Sequence, residues 1–210
     1  ASETITGSFS NTDELGTGSH NVFIRGKSSI GGWSTPVSSS FEILNNVSDY
    51  NGSSFAISSG AVTTDTLDVT DAGTITDLNV TISATNAWDV GYYSFKIISP
   101  YGTVVDLVNI PNPAEGLAFN NTTFDDEATN TLSSEGQPYF DSFQPAGDLS
   151  DVDQEEMQGE WILWVYNSSS SSSASNIVSA WSITLEALSY SGPVWHVSTT
   201  GSDSNDGSES

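Results

Sequence analysis

The chain has 210 residues, 36% hydrophobic and 10% aromatic, which is enough to bury a real core and excludes disorder throughout. Three Lys and Arg stand against 27 Asp and Glu, and the net charge of −24 repels phosphate backbones and anionic lipid, so no nucleic-acid partner is expected. There is no apolar run of about 20 residues to predict membrane insertion, and no cysteine for disulfides or thiolate metal sites. Such acidity suits salty or calcium-bearing water, where screening relieves self-repulsion. The plain reading is solubility in a saline habitat, and the sharper one a cation partner. Enrichment in Ser, Thr, Asn and Gly with almost no Lys points to a protein that is secreted or at the bacterial cell surface.

Along the chain, helical periodicity is missing, and short runs alternate at period two or are apolar throughout, with Gly, Asn, Pro or Ser between them. The predicted fold is all-β. Residues 1–46 hold two strand-like pieces around Gly31-Gly32, too few to bury a core alone. Residues 47–187 hold the clearest predicted strands, Leu78–Thr85, Tyr92–Ile98, Thr103–Val108, Glu160–Tyr166 and Ile177–Glu186, a set long enough for one sandwich. "SPYGT" at 99–103 predicts a turn, with Pro100 fixing φ and Gly102 free to take positive φ. The six-serine run Ser168–Ser173 falls between two strong strands and is expected to be a flexible hairpin loop. Residues 188–210 shift to Gly, Ser, Asp and Asn, a linker and the start of a following domain. The whole reads as an excerpt of something longer.

Period two puts Trp161, Leu163 and Val165 on one face of their strand, and Trp181, Ile183 and Leu185 on one face of theirs. These faces are expected to meet in the core. The opposite face of the first strand carries Ile162, Trp164 and Tyr166, more large apolar groups than a sheet facing water normally shows. Either another segment, a neighbouring domain of the same chain or a partner covers that face, or the aromatics form a platform for a polysaccharide or cell-surface ligand.

No catalytic constellation is present. His20 and His196 lie in the two flanks, so no Ser-His-Asp triad fits inside the sandwich, and HExxH, a phosphate-cradling glycine loop and a cysteine nucleophile are all missing. With 27 acids, a carboxylate pair is guaranteed and therefore uninformative. Calcium is the more plausible chemistry, because hard oxygen donors are spaced along "NAWD" at 86–89, "FDDE" at 124–127 and "DLSDVDQEE" at 148–156. The candidate ligands are Asp89, Asp125, Asp126, Glu127, Asp151 and Asp153. Adjacent Asp125 and Asp126 would point to opposite faces of a strand and could serve one ion only in a turn; the alternative is that they cap turns by accepting backbone N–H groups. Sequons at Asn46, Asn51, Asn79, Asn121 and Asn167 follow from composition.

Five segments in register, Ser99-Pro100 with Gly102-Thr103, Phe124–Ala128, Pro145…Leu149, Gly159-x-Trp161-x-Leu163-x-Val165 and Trp181-Ser182-Ile183, resemble the P domain, or Homo B domain, of kexin-like and furin-like proprotein convertases and of many secreted bacterial proteins. The resemblance covers about two thirds of the chain. It implies a jelly-roll-like antiparallel β-sandwich of about eight strands, itself non-catalytic, which stabilises the adjacent domains, and it makes a bound calcium plausible. It also allows an accessory role in a secreted subtilisin-like or kexin-like serine endopeptidase. Two departures stand out: Tyr92-Tyr93 where the family has Asp-Leu, and Asn167 where Asp is common. The 1–46 flank resembles the last strands of an immunoglobulin-like or fibronectin-like domain, and "VWHVSTTGSDSNDGSES" the opening of a secreted parallel β-helix.

Overall fold

A computed structural model describes residues 15–25, 30–85, 93–109, 118–132, 139–168 and 177–192. Their regular structure is strand apart from short 3-10 turns, and among them no helix is long and apolar enough to cross a membrane. The strands are β1 (Gly18–Ile24), β2 (Val37–Asn51), β3 (Phe55–Ala56), β4 (Val62–Val69), β5 (Thr74–Thr85), β6 (Tyr93–Ile98), β7 (Val104–Asn109), β8 (Ala118–Phe124), β9 (Asn130–Thr131), β10 (Ser142–Gln144), β11 (Gly159–Asn167) and β12 (Ile177–Ser191). The chain divides into two compact units, residues 46–188 and a unit made of 1–45 with 189–210.

The larger unit is a two-sheet sandwich. One sheet runs β4-β11-β6-β7, all antiparallel; the other runs β12-β5-β8-β10-β9, with β3 also paired to β12. The alternation read from the sequence holds. Trp161, Leu163 and Val165 of β11, and Tyr93, Phe95 and Ile97 of β6, face inward with Trp181, Ile183 and Leu185 of β12 in one apolar cluster. Each such apolar side chain contributes roughly 1.5–3 kcal/mol on burial. Parity breaks once on β5, where Ile75 and Leu78 are both buried: a register shift between Glu186 and Ala187 leaves Thr76 unpaired and lets both side chains point inward.

The all-β sandwich is as expected, and its strands pair antiparallel except at the short β10, which pairs in parallel with both β8 and β9. One expectation is corrected. The serine run does not close a hairpin: β11 pairs with β4 and β6 while β12 pairs with β5 and β3, so the connection passes from one sheet to the other. Apart from Ser168, that run lies outside the described residues.

The expected turn at 99–103 joins β6 to β7. Gly102 takes φ 87° and donates its N–H to the Ser99 carbonyl at 2.9 Å. Tyr93 is buried, which raises its phenol pKa. Asn167 is also fully buried and donates its N–H to the Ala61 carbonyl at 3.1 Å.

In the smaller unit β1 and β2 pair antiparallel, from Gly18↔Ile43 to Ile24↔Val37. Ile43 is the one buried apolar side chain among its described residues, and Phe41 packs between His20 and Tyr190. Arg25 lies over the Trp33 ring at 4.6 Å.

Candidate functional site

The acid run at 125–127 follows β8. Phe124, which ends the strand, is buried edge-on against Phe119. The chain then turns: Asp125 donates its N–H to the Phe143 carbonyl at 3.0 Å, and Ala128 donates to the Asp125 carbonyl at 3.2 Å. Asp125 Oδ1 accepts the Glu127 N–H at 2.7 Å, a side-chain turn that Asp forms readily. Asp126 reaches across to the 148–157 loop, where its Oδ1 accepts the Leu149 N–H at 3.0 Å and its Oδ2 the Ser150 N–H at 2.9 Å. These are the opening N–H groups of a 3-10 turn, Leu149–Val152, whose own leading residue, Asp148, makes no side-chain cap. Asp126 is therefore a cap supplied from another loop, and the turn it fixes buries Leu149 and Val152.

The other predicted ligands scatter. Asp151 is exposed in the first turn of the 3-10 segment, Asp153 is half-buried, and Asp89 lies outside the described residues. Burial raises the Asp153 carboxyl pKa, and Asp126 adds to the effect. Asp77, missed by the sequence reading, sits on β5 with its carboxyl raised first by burial and then by Glu186 and Asp125. Glu127 is raised mainly through a side-chain hydrogen bond with Asp125, then by burial and Asp77. Like charges thus crowd one end of β5. Among the described residues no group of three or more acidic or histidine side chains is placed to hold a metal ion, and both Asp126 oxygens accept backbone N–H groups.

The second acid that sequence reasoning overlooked is Glu155. Its carboxylate accepts the Ser99 hydroxyl at 2.6 Å and the Thr103 hydroxyl, pinning the β6–β7 turn to the 148–157 loop. The Glu155 carbonyl accepts the Ile75 N–H at 2.9 Å, and Gln154, at φ 68°, donates its N–H to the Ile75 carbonyl at 3.0 Å. Glu156 accepts the Gly73 N–H, and Met157 donates its N–H to the Gly73 carbonyl at 2.8 Å. Just beyond, Gly159 holds φ 135° beside Pro100, where an added Cβ would lie 2.8 Å from the proline Cβ. Trp161 closes the assembly by donating its indole N–H to the Met157 carbonyl at 3.0 Å. Ser99 is buried and its hydroxyl requires a partner, a need that shows only once the burial of the turn is known.

The outer face of the β4-β11-β6-β7 sheet carries the predicted interface residues. Register places Thr64, Trp164, Lys96 and Asp106 directly opposite one another across the four strands. Lys96 Nζ sits 5.4 Å from the Trp164 ring centroid and 2.7 Å from an Asp106 carboxylate oxygen. Trp164 and Tyr166 lie side by side on β11, with ring centroids 6.1 Å apart and planes 34° apart. Ile162 and Trp164 are half-buried and Tyr166 is 37% exposed.

No family model and no curated protein matches the chain. Among solved structures it is similar to a chain of the complex between the Aeromonas sobria serine protease and its chaperone ORF2, at 12% identity and a TM-score of 0.41, covering 81% of this chain and 33% of that one. It is similar to the serine protease of Aeromonas sobria alone at 12% identity and a TM-score of 0.40, covering 78% of this chain and 33% of the other. The chain thus spans about a third of the length of those chains.

Proposed function

We propose that residues 46–188 are a non-catalytic P-type, or Homo B, module whose work is mechanical: it folds firmly and stabilises the domains joined to it in a secreted or cell-surface protein. The observation that carries this reading is the latch around the 148–157 loop. The polar groups of the motif segments are used on one another or on the backbone: Ser99 and Thr103 on Glu155, Asp126 on the Leu149 and Ser150 N–H groups, Trp161 on the Met157 carbonyl. A reacting site needs a nucleophile or general base with free geometry. Here the residues that define the resemblance are committed to joining three loops and the two sheets.

The test is made in the intact protein. Glu155→Gln with Asp126→Ala weakens the latch, and melting followed domain by domain should show the neighbouring domains losing protease resistance as the sandwich does. Neighbours that keep their melting temperature after the sandwich has unfolded would sink the stabilising role. Hydrolysis of peptide substrates by this chain alone would sink the non-catalytic one. If the parent is a serine endopeptidase, as the resemblance allows, its Asp, His and Ser set must lie in another domain.

A further inference from the structure

We infer that the outer face of the β4-β11-β6-β7 sheet binds an uncharged polysaccharide, with Tyr166 and the open part of Trp164 as the stacking surface and Lys96, Asp106, Thr64 and Ser94 as partners for sugar hydroxyls. This goes beyond the stabilising role and stands or falls apart from it.

Composition makes the face unusual. Core packing dictates the inward positions of β11 but leaves the outward ones free, yet these hold Ile162, Trp164 and Tyr166. Val62 on one edge strand and Val104 on the other are 48% and 49% exposed, extending the apolar surface beside them. Between the apolar groups, register brings Thr64 and Thr66 from β4, Ser94 and Lys96 from β6, and Asp106 from β7. Aromatic rings interleaved with short hydroxyls and one donor–acceptor pair are what a hexopyranose needs: its C–H face packs on a ring while its rim of hydroxyls both donates and accepts.

Charge selects among occupants. Residues 46–188 contain 20 Asp and Glu and one basic residue, Lys96, and that single cation is at the centre of this face, paired with Asp106. The centre of the face is therefore neutral on a strongly anionic body, while Glu160 and Asp68, exposed opposite one another at one end of it, carry the body's negative charge onto that end. Anionic chains, nucleic acids and acidic glycans are repelled by the body as a whole. A cationic side chain seeking Trp164 meets Lys96 already beside the ring. A second copy brings an equal excess of negative charge. An uncharged polyhydroxyl polymer meets none of these penalties, and a sheet of four extended strands offers it a broad surface.

The probes are insoluble β-glucan, α-glucan, mannan and chitin, with the full chain retained on each measured by sedimentation of the polymer. Retention on at least one is expected, unchanged when sodium chloride is raised, and weakened tenfold or more in Tyr166→Ala and in Trp164→Ala. Tyr166 is the more exposed ring, so Tyr166→Ala keeps the test valid if Trp164→Ala unfolds; Phe23→Ala, on β1, serves as the unaffected control. No retention on any of the four polymers overturns the proposal, as does equal retention by both ring variants. Retention lost on adding salt points to a charged ligand, and a concentration-dependent dimer abolished by Tyr166→Ala points to a second copy; either result overturns it as well.

Discussion

Replacing Asp126 with Ala removes the acceptor for two N–H groups at once, and the loss can be sized from its geometry. A hydrogen bond to a charged acceptor is worth about 1.5–3 kcal/mol, whereas capping substitutions cost about 0.5–2 kcal/mol because water partly replaces the lost acceptor. The Ser150 N–H is exposed and can be rehydrated, while the Leu149 N–H is partly buried and cannot be so fully. The expected loss is about 2 kcal/mol, which for a sandwich of this size lowers Tm by about 4–8 °C. Asp126→Asn keeps one acceptor oxygen and should lose about half as much. Trp161 and Trp181 are buried fluorescent reporters, so thermal and urea unfolding can be followed directly, and an unchanged m-value confirms that only stability has moved. The decisive comparison is made with and without a chelator. If EDTA lowers the unsubstituted protein to the level of Asp126→Ala and leaves the variant where it was, Asp126 is a metal ligand and the capping argument fails.

Two further outcomes follow from the same region. Gly159→Ala places a side chain at φ 135° and 2.8 Å from Pro100 Cβ, combining backbone strain of about 1–3 kcal/mol with overpacking of similar size; a urea midpoint close to that of the unsubstituted protein would show that the turn yields freely. Asp77, Asp153 and Glu127 have folded pKa values above their ordinary ones. The folded state therefore binds more protons than the unfolded state across the interval from the ordinary carboxylate range near pH 4 up to the raised values, and their contribution to stability falls as pH rises through it. Tm should be higher at about pH 5 than at about pH 7.5, and Asp77→Asn should flatten that difference; a Tm that rises steadily from acid to neutral contradicts the assignment.

The central strands were legible because large apolar residues alternate along them without interruption, as in Glu160–Tyr166 and Ile177–Glu186. β4, "VTTDTLDV", was not, since only Leu67 and Val69 of it are buried and the rest reads as a polar loop. β8, "AFNNTTF", hides behind Asn121, whose φ of 54° and irregular pairing with β5 break the period of two. The parallel pairing of β10 depends on contacts distant in sequence, which no local pattern records. The acids were harder. The sequence narrowed Asp125 and Asp126 to a turn cap or a ligand but could not show that the donors lay at Leu149 and Ser150, in another loop. In the 148–156 run it marked Asp151 and Asp153 and passed over Glu155, because a carboxylate used by hydroxyls across the sandwich looks no different in sequence from one in solvent.

How a sandwich with 20 acids and one lysine satisfies its carboxylates leads to a last prediction. Among the described residues nearly all of their partners are neutral donors. Asp65 Oδ2 accepts the Ser53 N–H and the Trp181 indole N–H, both at 2.8 Å. Asp49 accepts the Thr184 hydroxyl at 2.6 Å and Asp71 the Tyr50 hydroxyl at 2.7 Å, and Asp126 and Glu155 follow the same rule. An ion pair weakens as salt screens it, but a carboxylate held by N–H and O–H groups loses little, while repulsion among the acids is relieved as the Debye length falls from about 10 Å at 0.1 M to about 3 Å at 1 M. Tm should therefore climb as sodium chloride is raised over that range. Lys96→Met, which removes the Lys96–Asp106 pair, should leave the climb intact. Calcium chloride at matched ionic strength separates screening from binding: an equal rise means that the acids are only screened, and a larger one means that some of them hold the ion. A Tm that falls with salt would show that ion pairing, centred on Lys96, matters more to this sandwich than the neutral donors do.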